Sequence, residues 1–282
     1  MPLAFPDSLK PNMHVSGDVT AKLNYIKPDT TLTPEVVYSG GDAPQSYNDA
    51  YAFMDAPIFD GRANSDTFDI HTQGFQLVNS PTQASGFDNQ KTVEGAYYDE
   101  VKAIVSRITG ATDVFVFDHI VRLGEQNSRR KPAHHVHNDY SERTAHIRAE
   151  ERIGAARFAE LKHRRMIQIN VWRPLIDIVQ RSPLAFCDAT TIEPKDLIPT
   201  NILFPDTGHV GEIYALRKNP NQRWSYFSQM TRDEVVLIKG YDSLTEGVAR
   251  FTPHTAFEYP DQDPDVGPRK SIETRTFAFY DT

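Results

Sequence analysis

After residue 110 the chain runs through one short segment rich in β-branched and aromatic residues after another, and this succession constrains the fold more than any other feature. The segments are DVFVFDHIVRL (113–123), MIQINVW (166–172), PLAFCDA (183–189), GEIYALRK (211–218), QRWSYFS (222–228), EVVLIKGYD (234–242), RFTPHTAFEY (250–259) and SIETRTFAFY (271–280). Each has strand composition, and the pair 211–218 and 222–228 reads as a hairpin over KNPN. In the last segment Ile272, Thr274, Thr276, Ala278 and Tyr280 alternate with Glu273, Arg275, Phe277 and Phe279. Successive strand side chains point to opposite faces, so Arg275 shares the interior face with two phenylalanines. One helical stretch, 141–165, interrupts the series, with Ser141 as its N-cap. The pattern predicts a mainly β (α+β) protein: a double-stranded β-helix (jelly roll, cupin-like) core with flanking helices.

The first 95 residues carry less strand signal. AKLNYI (21–26) reads as a short strand, whereas 39–90 is rich in Gly, Pro, Asn, Asp and Ser and reads as loops with short helical turns. A helix is expected over 95–109, where Tyr97, Val101, Ile104, Val105 and Ile108 fall at helical spacing before Gly110. No repeat, low-complexity tract or break in composition divides the chain. The expectation is one domain, 1–282, with an irregular 1–95 region packed on a double-stranded β-helix core at 96–282. The net charge of −8 argues against nucleic acid and anionic membranes, which need a basic patch. No apolar run reaches the ~18 residues of a membrane helix, and MPLAFPDSLKPNMH lacks the layout of a signal peptide. Cys187 is the only cysteine, so disulfides do not frame the fold and a reducing, cytoplasmic setting is expected. The expected partner is a small molecule, and a homodimer is compatible with the sequence.

The densest chemical signal is His134, His135, His137 and Asp139. In an extended segment His137 and Asp139 share a face, so an imidazole and a carboxylate aim at one point. A further histidine from a distant strand completes a 2-His-1-carboxylate triad, which suits non-heme Fe(II) and molecular oxygen. His209, in the turn-like DTGHVGE, and His254, in FTPHTAFEY, compete for that place. The strand position favours His254, whose bland alternative is a core histidine bonded to backbone. A rival metal set, of the cupin kind, is His135, His137 and Glu142, but the glycines that bracket that motif are absent. Late in the chain Arg269, with Ser271 nearby, and Arg275 are both candidates for holding an anion. A buried arginine without a carboxylate partner needs one, whereas a surface arginine would pair with Glu273 or with DQDPD (261–265). Trp172 and Arg173 alternate faces; they and His135 are candidates for lining a substrate pocket, with a structural stacking role as the alternative. Cys187 reads as an inert core thiol. No phosphate-binding loop, dinucleotide fingerprint or nucleophile elbow occurs.

Five blocks occur together and in order: VHNDYSERT (136–144), INVWRPL (169–175) with PLAFCDA, RWSYFSQMTRDEVVLIKGYDS (223–243), FTPHTAFEYP (251–260) and PRKSIETRTFAFYD (268–281). With them the chain resembles the CmcJ/NvfI-type, gibberellin-desaturase-like family of Fe(II)/2-oxoglutarate-dependent oxygenases over residues 90–282. The resemblance implies a double-stranded β-helix, iron on His137, Asp139 and His254, and 2-oxoglutarate on a late-strand arginine, either Arg269 with Ser271 or Arg275. It also implies hydroxylation, desaturation or rearrangement of a small-molecule natural product, with succinate and carbon dioxide as co-products. It does not name the substrate. A cupin-like metalloenzyme that uses no 2-oxoglutarate, or a metal-free jelly-roll binding module, would fit the same strand pattern.

Overall fold

A computed structural model of the chain describes residues 16–38, 46–122 and 134–281. The polar loop 124–133 with its SRRK run, and the N-terminal segment read for a leader, lie outside the described residues. In chain order the elements begin β1 (Val19–Ile26), β2 (Glu35–Val37), β3 (Ser46–Tyr47), β4 (Tyr51–Asp60) and β5 (Phe75–Asn79). A helical region follows: the single turn α1 (Gln90–Thr92), a wider turn over Val93–Tyr97, and α2 (Tyr98–Thr109). Next come β6 (Asp113–Arg122), β7 (His137–Asn138), α3 (Glu142–Ile153), α4 (Ala155–Leu161), β8 (Met166–Pro174) and β9 (Leu184–Cys187). The chain closes with β10 (Leu197–Phe204), β11 (His209–Leu216), β12 (Trp224–Tyr226), β13 (Glu234–Asp242), β14 (His254–Ala256) and β15 (Ser271–Phe279).

Two sheets result, ordered β1-β4-β12-β9-β14-β7-β11-β10-β2-β3 and β5-β13-β8-β15-β6. They form the jelly roll expected from the strand succession. The outer face of the smaller sheet is covered by α2, whose Val101, Ile104 and Val105 pack on Ile167, Ile169, Val171, Leu237, Ile272 and Ala278. Burying each such side chain contributes about 1.5–3 kcal/mol. Asp99 and Glu100 sit in the first turn of α2 and complement its dipole. Gly110, in the left-handed region at φ 76°, ends the helix where the sequence places its stop. Between the sheets, Phe75, Phe186, Phe227, Trp172, Val236 and Ile238 fill one end. The other end stays open, and strands of both sheets line a cavity of about 640 Å³ there.

Four local expectations are corrected. The helix 141–165 is two helices, because Gly154, at φ 93° and ψ 138°, breaks the ladder between α3 and α4. Ser141 does cap α3, in a reciprocal box with Thr144. The stretch read as loops over 39–90 supplies β4 and β5. In β4 the buried Ala56 and Ile58 alternate with exposed Asp55, Pro57 and Phe59, a period of two hidden by its polar and proline content. The 211–228 hairpin does not form. β11 pairs with β10 across a turn closed by Gly208 (φ 70°), while β12 pairs with β9 and β4. Finally, β10 was not expected, because Pro199 and Asn201 dilute its strand pattern.

Candidate active site

The site is built where β14 meets β7. His254 lies opposite His137 in antiparallel register, and their rings are 4.8 Å apart. Asp139 follows two residues after His137. One ligand atom from each of the three side chains lies within 4.8 Å of the others, and all three face the cavity. Each histidine is oriented through its second nitrogen: His137 Nδ1 is 2.8 Å from the His135 carbonyl, and His254 Nδ1 is 3.0 Å from that of Thr252. An Nδ1–H donating to a carbonyl leaves the Nε2 lone pair for a metal. Asp139 Oδ2 accepts from Asn170 Nδ2, and Asn170 Oδ1 accepts in turn from Gln168 Nε2 at 2.6 Å. Oδ1 of Asp139 faces the imidazoles, 3.5 Å from His137 Nε2. Asn138 ties the ligand segment down, donating to the Tyr140 and Gly240 carbonyls and accepting from Thr252 N–H at 2.9 Å. A Cβ at Gly240 would meet Gln168 Oε1 at 2.0 Å and displace the amide that bonds Asn170. Burial raises the Asp139 carboxyl, but the His137 bond and the Arg275 charge together hold it well below the usual range. Burial and the neighbouring His137 lower His254. Burial lowers His137, but the bond and charge of Asp139 outweigh this and raise it. The set offers two imidazoles and one carboxylate, the donor set of a facial triad.

The two late arginines differ. Arg275 lines the cavity but is paired, with Glu273 Oε1 at 2.9 Å and Asp118 Oδ2 at 3.4 Å. Arg269 is 6% exposed and has no carboxylate partner among the described residues. Its Nη1 donates to the Ser182 carbonyl, its guanidinium lies 5.2 Å from the Trp172 ring, and its Nε has no partner. Burial, then the nearby Arg122 cation, pushes the Arg269 pKa down. Ser271 is buried at the start of β15, opposite Arg122 and Pro174.

The remaining candidates separate cleanly. Trp172 lines the cavity. Arg173 points the other way and is fully buried, donating to Tyr97 Oη and to the Ser80 and Arg232 carbonyls at 2.7–3.1 Å. His135 lies behind His137, stacked on it at 4.2 Å and flanked by Tyr47 and Tyr51, and is not among the cavity-lining residues. His209 is exposed at the cavity mouth. Glu142 pairs with Arg250 at 2.7 Å at the start of α3, away from the three metal-ligating groups. Cys187 is buried, and burial pushes its thiol up, which keeps it an inert core group. The residue missed by sequence reasoning is Asn170. Its signal was present: in MIQINVW, Gln168 and Asn170 alternate with Ile167, Ile169 and Val171, a polar pair on an inward face.

A jelly roll with an H-x-D pair, a distal histidine in register with it, and a buried unpaired cation in the same cavity is the layout of a 2-His-1-carboxylate oxygenase. Comparison with known proteins narrows the class. A family model described as an oxidoreductase/YMDC permease-like domain matches residues 23–279. The hydroxylase/desaturase efuI of Hormonema carpetanum is 35% identical over 250 residues, covering 79% of this chain and 83% of that protein. The Fe(II)/2-oxoglutarate-dependent dioxygenase nvfI of Aspergillus novofumigatus is 31% identical over 270 residues, covering 92% and 96%. Among solved structures, the iron and alpha-ketoglutarate-dependent endoperoxidase NvfI superposes with a TM-score of 0.81 at 29% identity, covering 94% of this chain and 99% of that one. The chain belongs to this oxidoreductase family and is a member of the Fe(II)/2-oxoglutarate-dependent oxygenases. As such it acts on a small molecule. No helix among the described residues is long and apolar enough to cross a membrane.

Proposed function

We propose that His137, Asp139 and His254 hold Fe(II), that Arg269 anchors the far carboxylate of 2-oxoglutarate, and that the enzyme oxidises an unactivated carbon of a natural product. The outcome, hydroxylation, desaturation or rearrangement, is set by how the substrate lies in the cavity. The observation that carries the reading is Arg269: a buried guanidinium with an unpartnered Nε, in the same cavity as a histidine–aspartate–histidine set. A buried cation is costly unless an anion meets it, and guanidinium matches a carboxylate in two parallel bonds. Arg275 is already neutralised by two carboxylates and is left to shape the wall.

When bound, iron with 2-oxoglutarate and oxygen supplies a strong oxidant, with succinate and carbon dioxide released. The chain's own residues do the rest. The Thr252 and His135 carbonyls fix both imidazole rings, and Asn170 holds one Asp139 oxygen so that the other faces the site. Trp172 supports the face of the anchoring guanidinium. Tyr38, Phe117, Ile120, Ile202, Phe204 and Ile213 line the cavity and favour an apolar skeleton while keeping water from the reacting carbon. The reading treats 1–282 as one domain, supported by β1 and β4 joining the same sheet as β9 and β14. It places the enzyme in a reducing, cytoplasmic setting, supported by the lone Cys187.

Succinate release tests the reading. The purified protein with Fe(II), oxygen and 2-oxoglutarate should form succinate, and omission of either iron or 2-oxoglutarate should abolish it. Metal-dependent oxidation that needs no 2-oxoglutarate would instead make it a cupin-like enzyme.

A further inference from the structure

Behind the anchor sits a device that the triad does not require. Ser182 precedes β9 and has φ 48°, one of two non-glycine residues with positive φ among those described. Such a backbone is rare for a residue with a side chain and persists only where surrounding contacts impose it. Here the contacts are specific. Ser182 is buried, and its hydroxyl donates to Glu258 Oε1, two residues beyond the end of β14. Glu258 is also faced by His134 Nε2 at 3.7 Å and Arg181 Nε at 3.9 Å. Strand pairing of Leu184 with Ala256, and the bond from Phe257 N–H to the Pro183 carbonyl, hold the two segments side by side. The turned backbone directs the Ser182 carbonyl at Arg269 Nη1.

We propose that Ser182 and Glu258 are positioning residues for the cosubstrate anchor. They fix the rotation of the Arg269 guanidinium within its plane, while Trp172 fixes the plane itself. With one nitrogen occupied by the Ser182 carbonyl and the ring face by Trp172, the part of the guanidinium that lines the cavity is what remains to receive a carboxylate. Glu258 acts by accepting the Ser182 hydroxyl, so its acceptor oxygen matters more than its charge. This inference rests on the reading of Arg269 as the anchor.

The test is 2-oxoglutarate binding to the iron-loaded protein by oxygen-free calorimetry, with iron affinity measured on the same samples. Ser182→Ala and Glu258→Ala should each weaken 2-oxoglutarate by about tenfold, the scale of one orienting hydrogen bond. Iron affinity should stay at the wild-type value. Glu258→Gln, which keeps an acceptor oxygen, should restore binding to within about twofold of wild type. Arg269→Lys should lose at least about 100-fold. Wild-type 2-oxoglutarate affinity in Glu258→Ala, with Arg269→Lys weakened, overturns the positioning role and leaves the anchor standing. Wild-type affinity in Arg269→Lys overturns the anchor itself. Parallel loss of iron and 2-oxoglutarate in Glu258→Ala also overturns the inference, because it marks a general structural role. Glu258 is 44% exposed at the surface, so its variants remain informative should Ser182→Ala fail to fold.

Discussion

The two faces of the β5-β13-β8-β15-β6 sheet bury arginines in opposite ways. On the outer face, under α2 and away from the cavity, Arg173 donates to Tyr97 and to two backbone carbonyls through Nε and Nη1, and its Nη2 has no partner. On the inner face, the neighbouring Trp172 supports Arg269, which finds one carbonyl and keeps an unpartnered Nε. Both side chains are buried, so burial alone does not separate them. Each guanidinium keeps one nitrogen without a partner, Nη2 of Arg173 and Nε of Arg269; what distinguishes them is that Arg269 lines the cavity and Arg173 does not. A buried cation enclosed by the fold holds structure together; one that borders a cavity with no carboxylate beside it is placed to meet an anionic ligand.

Substitutions can sharpen or break that contrast. The largest effect is expected at the inner face: Arg269→Lys should raise the apparent KM for 2-oxoglutarate by at least about 100-fold, as loss of one partner of a buried charged pair costs roughly 3–5 kcal/mol. Arg275→Lys, in a group already matched by Glu273 and Asp118, should shift it by no more than about threefold. The reverse ranking in steady-state kinetics would move the anchor to Arg275. On the outer face, Arg173→Met strands the Ser80 and Arg232 carbonyls, and denaturant unfolding should report a loss of about 2–4 kcal/mol with the KM for 2-oxoglutarate unchanged. A changed KM there would erase the distinction between the faces. Asn170→Ala removes the bond that orients Asp139, and iron affinity should fall about 10- to 100-fold with little change in melting temperature. The smallest effect is expected at Cys187→Ser, in the core of the other sheet. A buried hydroxyl costs about 1–3 kcal/mol if unpaired, and turnover by the folded protein should be unaltered.

The same contrast explains what could be read from the sequence. His137 and Asp139 stand two residues apart, so the period of an extended chain alone put them on one face. His254 was favoured because it lies in a strand segment, and in the fold it pairs directly with His137. The choice between Arg269 and Arg275 was not legible. It depends on what stands across the sheet: Asp118 on β6 is in register with Arg275, and sequence composition does not give register. Ser182 and Glu258 were hidden for the same reason, since their contact spans 76 positions of sequence. In the fold, the strand-rich half after residue 110 was readable from β-branched and aromatic content. β4 and β10 were not, because Pro57 and Pro199 read locally as breakers while long-range pairing overrides them.

The central claim is that His137, Asp139 and His254, and not the rival set with Glu142, hold the iron. An oxygen-free Fe(II) titration of wild type, Asp139→Ala and Glu142→Ala, followed by removal of free metal and measurement of retained iron, tests it most directly. The account predicts about one iron per chain in wild type and in Glu142→Ala, and none retained in Asp139→Ala, because a three-ligand site loses affinity steeply with one ligand. Wild-type iron in Asp139→Ala, or its loss in Glu142→Ala, would contradict the account.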